Sequence, residues 1–243
     1  QIYVKASTPN IPEGRANIAY RTAELMLDTF KIDGGIDIYI RKNIPTAAGM
    51  GGGSSDGAAV MLGIKEMYDI DVSLEELIKL GKNIGADIPF CIIGGTALAE
   101  GIGDKLTQLP PIDKIWLVVV KPKISISTAE VYNLVDTKRR YKRPQNEMFV
   151  HALYQGDLGS AAQIGSNALE EVSAKLHPEI HDIKERLIAE GAMYALMSGS
   201  GPSVFGAFEG REEAEEAYNI LKECYGQVFL THTLDTGPIV LEG

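Results

Sequence analysis

The chain has 243 residues, of which 45% are apolar, enough for one large domain or two small ones with packed cores. Its formal net charge of −10 argues against binding nucleic acid by bulk electrostatics, because neutralising phosphates requires clustered Lys and Arg. The two cysteines lie far apart and suggest neither a zinc site nor a disulfide framework, and no apolar run reaches the length of a membrane span, so we expect a cytoplasmic protein without membrane partners.

The first elements of the chain are a strand, a helix and a second strand. Residues 2–4 resemble the inside of a strand, so we expect the sequence to begin within a domain. A helix is predicted from its N-cap residue Asn17, with apolar residues at helical spacing as far as Phe30. Isoleucines alternate with other residues over 36–40, and this alternation predicts a half-buried strand.

A glycine-rich segment, 45–56, follows that strand and reads PTAAGMGGGSSD; we call it the glycine loop. Its four glycines permit positive φ and can turn N–H groups inward, while Ser54 and Ser55 add hydroxyls at the start of a helix. A helix start of this kind binds phosphate with few lysines. The loop matches neither GxxxxGK[ST] nor GxGxxG, and a simple glycine-rich turn is the alternative interpretation.

The middle of the chain changes from helix to strands. Ser73 and Glu76 have capping-box spacing and predict a helix that ends near Gly85. The segment GADIPF follows, and the glycines between 94 and 103 indicate strands and turns. A continuous apolar run at 116–120 predicts a central strand, and we place a domain boundary just before it, near Asp113.

The last third of the chain alternates helices with short strands. Pro178 and Gly191 bracket one predicted helix. A strand, the segment SGSGPS at 198–203 (the SGSGPS loop), a second strand, a helix near 212–223 and a strand near Val228 follow it. This alternation predicts a sheet backed by helices.

Three further positions are candidates for chemistry. Asp87, in GADIPF, could accept or orient a hydroxyl proton in phosphoryl transfer, but taken alone such a residue is more often a turn-forming or helix-capping Asp. The SGSGPS loop is a donor-rich turn that could close over a substrate or a phosphate, or it could be an ordinary loop. Lys42 could contact a nucleotide from the strand before the glycine loop, or it could be a solvated charge.

The motifs PTAAGMGGGSSD, GADIPF and SGSGPSVF, in this order, resemble the three ordered motifs of the GHMP kinases over nearly the whole chain. GGGSSD, GADIPF and GGTALAEGIGD are most similar to the 4-diphosphocytidyl-2-C-methyl-D-erythritol kinases of the non-mevalonate isoprenoid pathway. The resemblance implies an α+β fold with an ATP-binding domain like domain 2 of ribosomal protein S5 at 1–112. It also implies a ferredoxin-like domain at 113–243, with the active site in a cleft between the two.

The resemblance further implies ATP-dependent phosphorylation, with Mg²⁺, of the 2-hydroxyl of the small molecule 4-diphosphocytidyl-2-C-methyl-D-erythritol by a monomer or homodimer. Asp87 would be the catalytic base, Ser55 would contact the metal, and the ring of Tyr132, in SISTAEVY, would stack on cytosine. RANIAYRTAELM resembles the segment around an adenine-binding Asn. The residues implied at ATP are Asn17, Lys42, Pro45, Gly49, Gly51, Gly52, Gly53, Ser54 and Ser55. Those implied at the substrate are Asp87, Thr128, Tyr132, Gly199, Ser200 and Gly201.

The sequence departs from the family pattern at its start. The family's first motif, a strand with a catalytic lysine, and the GYH segment after it are expected upstream of Gln1. That lysine stabilises charge on the transferred phosphoryl group and orients Asp87, so we expect the chain as given to be impaired or inactive. Two alternatives stay open: another GHMP kinase of the homoserine or mevalonate type, and a nucleotide-binding remnant without catalysis.

Overall fold

The computed structural model describes residues 1–9, 11–103, 105–138 and 144–241. The chain divides into two compact units. The first unit contains 1–46, 51–108 and the segment that starts at Leu234, and the second contains 47–50 and 109–233. The family domain limits, 1–112 and 113–243, stay a prediction.

The first unit contains two small sheets. Strand β1 (Ile2–Ala6) pairs in parallel with β2 (Ile36–Ile40), and the alternating isoleucines of β2 turn one face towards the core, as predicted. Strands β3 (Ala97–Glu100) and β4 (Lys105–Gln108) form an antiparallel hairpin. The motif GGTALAEGIGD includes this first hairpin strand and ends at Asp104, which lies outside the described residues.

Four helices supply most of the first unit's core. They are α1 (Ile18–Thr29), α2 (Gly52–Met67), α3 (Leu74–Lys82) and α4 (Ile88–Ile93). The predicted N-cap of α1 and the predicted capping box of α3 are both present. The buried side chains of the four helices form one cluster: Ala23, Met26, Ala58, Met61, Ile64, Leu77, Ile88 and Ile92.

Two of these helices differ from the sequence prediction. Helix α2 begins at Gly52, inside the predicted loop, because Gly51 adopts a left-handed conformation with φ 62° and turns the chain into the helix. Helix α4 was not predicted. It contains Pro89 in its first turn, where the missing N–H of proline removes no helical hydrogen bond.

The second unit contains six helices and four strands within its described part. The helices are α5 (Thr128–Lys138), α6 (Asn146–Tyr154), α7 (Leu158–Ile164), α8 (Ala168–Leu176), α9 (Glu179–Ala189) and α10 (Arg211–Cys224). The strands are β5 (Trp116–Val120), β6 (Tyr194–Met197), β7 (Val204–Phe208) and β8 (Val228–His232). Helices α5 to α8 had no counterpart in the sequence prediction.

The four strands form one antiparallel sheet in the order β6-β7-β5-β8, which is a ferredoxin-like arrangement. Helix α9 packs on β6 and β7, and α10 packs on β5 and β8. The predicted helix-backed sheet is therefore present. Its core is formed mainly by Val118, Val120, Ile180, Ile183, Leu187, Met197, Phe208 and Leu221.

After β8 the chain returns to the first unit, where two glycines permit close backbone contact. A Cβ on Gly94 would lie 2.0 Å from the Gly237 nitrogen, and a Cβ on Gly237 would lie 2.4 Å from the Ile92 oxygen. Real Cβ atoms do not approach backbone so closely. The last described segment is thus held against the end of α4. Within the described ranges, no helix is long and apolar enough to cross a membrane.

Candidate active site

The start of α2 presents unpaired backbone donors. Gly51 occupies the N-cap position without a side-chain cap, and the first hydrogen bond of the helix runs from the Ser55 nitrogen to the Gly51 oxygen at 2.9 Å. In the described structure the N–H groups of residues 52–54 have no acceptor. These donors and the positive end of the helix dipole favour an anion at this position.

Lys42 is held at the same helix start. Its Nζ donates to the Gly52 oxygen at 2.8 Å and to Asp56 Oδ2 at 2.5 Å, and its side chain is only 6% exposed. The alternative of a solvated surface charge is therefore wrong. Both partners are part of the glycine loop or the first turns of α2, so Lys42 fixes that segment. Its contact with a nucleotide stays a prediction.

Asn17 uses both ends of its carboxamide within the protein. Its Oδ1 accepts from the Ala19 nitrogen at 2.8 Å, and its Nδ2 donates to the Pro12 oxygen at 2.9 Å. The residue is only 5% exposed. Asn17 therefore caps α1 and holds the segment before it, and its predicted contact with adenine stays a prediction.

Helix α1 lies close to the start of α2 because α2 has glycines on the facing side. A Cβ on Gly53 would lie 3.0 Å from Ile18 Cδ1, and a Cβ on Gly57 would lie 2.9 Å from Ile18 Cγ2. Ile18 is the residue directly after Asn17. The capped start of α1 therefore lies beside the uncapped start of α2.

Asp87 occupies the N-cap position of α4, but its side chain makes no capping hydrogen bond. The residue is exposed, and its carboxylate has no hydrogen-bond or ion-pair partner among the described residues. Asp87 therefore occupies the cap position without capping the helix through its side chain, and the turn-forming alternative stays open. Burial raises the pKa of the nearby Cys91 thiol to about 11, and the negative charge of Asp87 adds to this shift. Cys91 thus stays neutral near pH 7.

The glycine loop and the SGSGPS loop touch within the second unit. Ser198 Oγ donates to the Gly49 oxygen at 2.9 Å, and the Ser203 nitrogen donates to the Ala48 oxygen at 3.4 Å. A Cβ on Gly49 would lie 2.4 Å from the Ser198 oxygen and 2.8 Å from that of Gly201. The structure therefore brings together two motifs that lie about 150 positions apart in the sequence, since Ser198 and Gly49 are separated by 149.

The residues of the second unit that are predicted to bind substrate adjoin this contact, whereas Asp87 belongs to the first unit. Thr128, the first residue of α5, shares a hydrogen bond of 2.9 Å with Ser200 across the two hydroxyls. Tyr132 lies one turn further along α5 and is 52% exposed, so its ring is available for stacking. The N–H groups of Gly199 and Ser200 have no acceptor in the parts of the chain that are described. This end of the second unit is rich in donors.

Sequence reasoning missed three residues on one face of α8. Asn167 Nδ2 donates to the oxygens of Met197 and Gly199, at 2.8 Å each. Glu170 Oε2 accepts from the Met197 nitrogen at 2.8 Å, and Ser173 Oγ donates to the Ser200 oxygen at 3.2 Å. Asn167 and Glu170 have capping-box spacing, which is the signal that could have drawn attention to them.

Ser55, the predicted metal ligand, is half-buried in the first turn of α2, and its hydroxyl has no described partner. The described residues include no group of three or more His, Cys, Asp or Glu that could hold a metal ion. Mg²⁺ commonly needs only one or two protein ligands when phosphate oxygens and waters supply the rest. The Ser55 hydroxyl lies beside the unpaired N–H groups at the start of α2, and its contact with a metal stays a prediction.

Residues 17–95 match the family described as GHMP kinases N terminal domain, and residues 149–227 match GHMP kinases C terminal. The 4-diphosphocytidyl-2-C-methyl-D-erythritol kinase of Acetivibrio thermocellus is 46% identical over 233 residues, which cover 96% of this chain and 82% of the relative.

Solved structures give the same pattern. A crystal structure of a 4-(cytidine 5'-diphospho)-2C-methyl-D-erythritol kinase superposes with a TM-score of 0.80 at 33% identity, covering 96% of this chain and 81% of that one. A homoserine kinase from Cytophaga hutchinsonii has a TM-score of 0.78 at 18% identity, covering 97% of this chain and 82% of that one. The second likeness is one of fold alone. The predicted α+β fold with two domains is confirmed.

Proposed function

This chain belongs to the GHMP kinases, and within them to the 4-diphosphocytidyl-2-C-methyl-D-erythritol kinases. On this basis we propose a role for each of its site residues in phosphoryl transfer. The reaction moves the γ-phosphoryl group of ATP to the 2-hydroxyl of 4-diphosphocytidyl-2-C-methyl-D-erythritol. The bond between the γ-phosphorus and the ADP oxygen breaks, a bond to the substrate oxygen forms, and the hydroxyl proton is released.

The glycine loop receives the phosphates of ATP. The observation that carries this proposal is the uncapped start of α2, where the N–H groups of residues 52–54 have no acceptor in the described chain. Preorganised donors of this kind stabilise the charge that develops on the phosphoryl oxygens without rearranging during the reaction. Lys42 contributes by holding the loop through Gly52 and Asp56.

Asp87 accepts or orients the proton of the substrate hydroxyl. Support comes from its exposed carboxylate, which makes no capping bond to α4. In phosphoryl transfer a carboxylate that orients the attacking hydroxyl is a recurring part of the machinery. Mg²⁺, held by Ser55 and phosphate oxygens, would neutralise the charge on the phosphates.

The cytidine end of the substrate binds to the second unit. The exposed ring of Tyr132 supports stacking on cytosine, and Thr128 and Ser200 place two hydroxyls one turn away. Homoserine and mevalonate have no base to stack, so these residues favour the cytidylyl substrate over the other two. The cytoplasmic location and the monomer or homodimer state stay predictions.

The test is to measure ATP-dependent ADP release by this chain extended upstream with the family's first motif and its catalytic lysine, because the chain as given is expected to be impaired. Three substrates are compared in parallel: 4-diphosphocytidyl-2-C-methyl-D-erythritol, homoserine and mevalonate. We expect turnover with the first alone, and a phosphorus NMR signal for a monoester at its 2-oxygen. Turnover with either small acid would overturn the substrate assignment. Nucleotide binding without turnover on any of the three would instead support the non-catalytic alternative.

A further inference from the structure

We propose that Asn167 is a positioning residue for this reaction: its carboxamide fixes the SGSGPS loop against the glycine loop and against Thr128. The inference rests on the proposed function, because its kinetic effect is defined for that reaction. Asn167 lies behind the loop and is not proposed to touch substrate or ATP.

The carboxamide of Asn167 makes three hydrogen bonds with three different backbone groups. Its Oδ1 accepts from the Leu169 nitrogen at 2.9 Å and so caps α8. Its Nδ2 donates to the oxygens of Met197 and Gly199, both at 2.8 Å. The residue therefore needs one acceptor and two donors on a short side chain, and among the natural side chains asparagine meets this requirement at this length.

The opposite side of the SGSGPS loop contacts the residues that bind ligands in the proposed function. Ser198 Oγ donates to the Gly49 oxygen at 2.9 Å, and Ser200 Oγ lies 2.9 Å from Thr128 Oγ1. A displacement of the loop backbone would therefore change two contacts at once. Asn167 donates hydrogen bonds to the carbonyl oxygens of the residues directly before and after Ser198, so it fixes the direction in which the Ser198 side chain points.

Two neighbours on α8 strengthen this arrangement. Glu170 forms an ion pair with Lys184 through one oxygen and accepts from the Met197 nitrogen through the other. Ser173 is fully buried and donates to the Ser200 oxygen. The N-cap and one face of α8 thus form hydrogen bonds with the backbone of Met197, Gly199 and Ser200. Of the three side chains that make these bonds, Asn167 is the one that contacts Gly199.

The decisive variant is Asn167→Asp, which has the same shape and keeps the oxygen that caps α8. It replaces both N–H donors with a carboxylate oxygen that faces two carbonyl oxygens. We expect kcat/KM for the cytidylyl substrate to fall on the order of 10- to 100-fold. The melting temperature should fall as well, because two carbonyl oxygens lose their donors and face a carboxylate, and the favourable interaction of a negative N-cap with the helix dipole offsets only part of this loss. The kinetics are therefore measured well below the melting temperature of the variant.

A matched control separates loss of the loop contacts from loss of a helix cap. Asp157 caps α7 in the same unit, accepting from the Ser160 nitrogen at 2.9 Å, and makes no described contact with the SGSGPS loop. Asp157→Ala should lower the melting temperature with kcat and KM unchanged, whereas Asn167→Ala should lower both stability and kcat/KM. Wild-type kinetics in Asn167→Asp, or an equal kinetic loss in Asp157→Ala, would overturn the proposal.

Hydrogen exchange gives a readout that does not depend on turnover. The N–H of Gly201 bonds to the Ser198 oxygen at 2.9 Å, and that of Ser203 bonds to the Ala48 oxygen. Both should exchange faster in Asn167→Asp, while the amides of α8 keep their protection. Unchanged exchange at both sites contradicts the inference. If the unchanged protein phosphorylates none of the three substrates, the proposed function fails, and exchange still decides the role of Asn167.

Discussion

The glycine loop contains two glycines with similar positive φ values and different surroundings. Gly49 has φ 70° and Gly51 has φ 62°, so an alanine at either position is strained by about 1–2 kcal/mol. A Cβ would lie 2.4 Å from the Ser198 oxygen at position 49, but it would meet nothing within 4 Å at position 51. Comparing alanine substitutions at the two positions therefore separates the cost of backbone strain from the cost of a collision between the two loops.

We predict that Gly49→Ala loses clearly more unfolding free energy than Gly51→Ala, because only the first also collides with the SGSGPS loop. Urea unfolding of both variants and the unchanged protein measures the difference. Gly51→Ala is the control, since it carries the strain without the collision. Equal losses would mean that the contact between the loops adds nothing to stability.

The role of Asp87 is tested by removing its charge. We predict that Asp87→Asn keeps the fold, because the exposed side chain makes no described bond, and that kcat falls by about 10²–10⁴-fold. Nucleotide affinity, measured by calorimetry, should change little, since the carboxylate acts on the other substrate. A kcat close to that of the unchanged protein would assign Asp87 to the turn before α4 and to no step of the reaction.

For single residues, the sequence predicts those whose role depends only on the conformation of the neighbouring chain. Gly51 is detectable because a left-handed position before a helix favours glycine. The partner of Lys42 is not detectable in this way, since Asp56 becomes its neighbour only when the chain turns back after β2. The same holds for Asn167, whose partners Met197 and Gly199 lie about 30 positions away, at separations of 30 and 32.

Among the elements, α1 and α2 show how glycine allows two helices to approach. We predict that Gly57→Ala destabilises the protein by about 1–3 kcal/mol through overpacking. Its Cβ would lie 2.9 Å from Ile18 Cγ2, 3.1 Å from Thr22 Oγ1 and 3.2 Å from Ile88 Cδ1. These contacts outweigh the gain in helix propensity of about 1 kcal/mol.

Gly63 on the same helix is the matched control, because a Cβ there would meet nothing within 4 Å. Gly63→Ala should stabilise the protein by about 0.5–1 kcal/mol. Denaturant unfolding of both variants gives the two free energies. A stabilising effect at position 57 as well would show that α1 can move away from α2 without loss.

The elements that the sequence predicted correctly have either clear periodicity or clear end signals. Strand β2 alternates, and α3 has a capping box followed by an amphipathic pattern. Helix α4 has only six residues, IPFCII, which are apolar in sequence and carry no helical period. Helices α6 and α7 have seven to nine residues each, so tertiary packing contributes more to their formation than local preference does.

For the whole molecule, alkaline pH should lower stability chiefly through Cys91 in the first unit and Tyr194 in the second. Burial raises the pKa of Cys91 from 9.0 to about 11, with a smaller effect of Asp87, and burial raises the pKa of Tyr194 from 10.0 to about 12, with a smaller effect of Glu170. The folded protein therefore keeps protons that the unfolded chain releases. The unfolding free energy should be unaffected below pH 9 by these groups and should fall as pH rises from about 9 to about 12.

Urea unfolding between pH 8 and pH 12 measures this dependence. Cys91→Ala should remove the part of the decline between pH 9 and about 11, and Tyr194→Phe the part between pH 10 and about 12. A decline of the same size in the double variant would show that other groups cause it.

The return of the chain to the first unit after β8 affects how the protein is synthesised. The first unit receives Gly237 only after all of 109–233 has been translated, because that stretch of the second unit lies between the two parts. A ribosome that moves from the N-terminus therefore starts the first unit early and completes it last. A premature stop just after β8 would consequently damage the N-terminal half of the molecule, where Gly94 and Ile92 would lose their backbone neighbour.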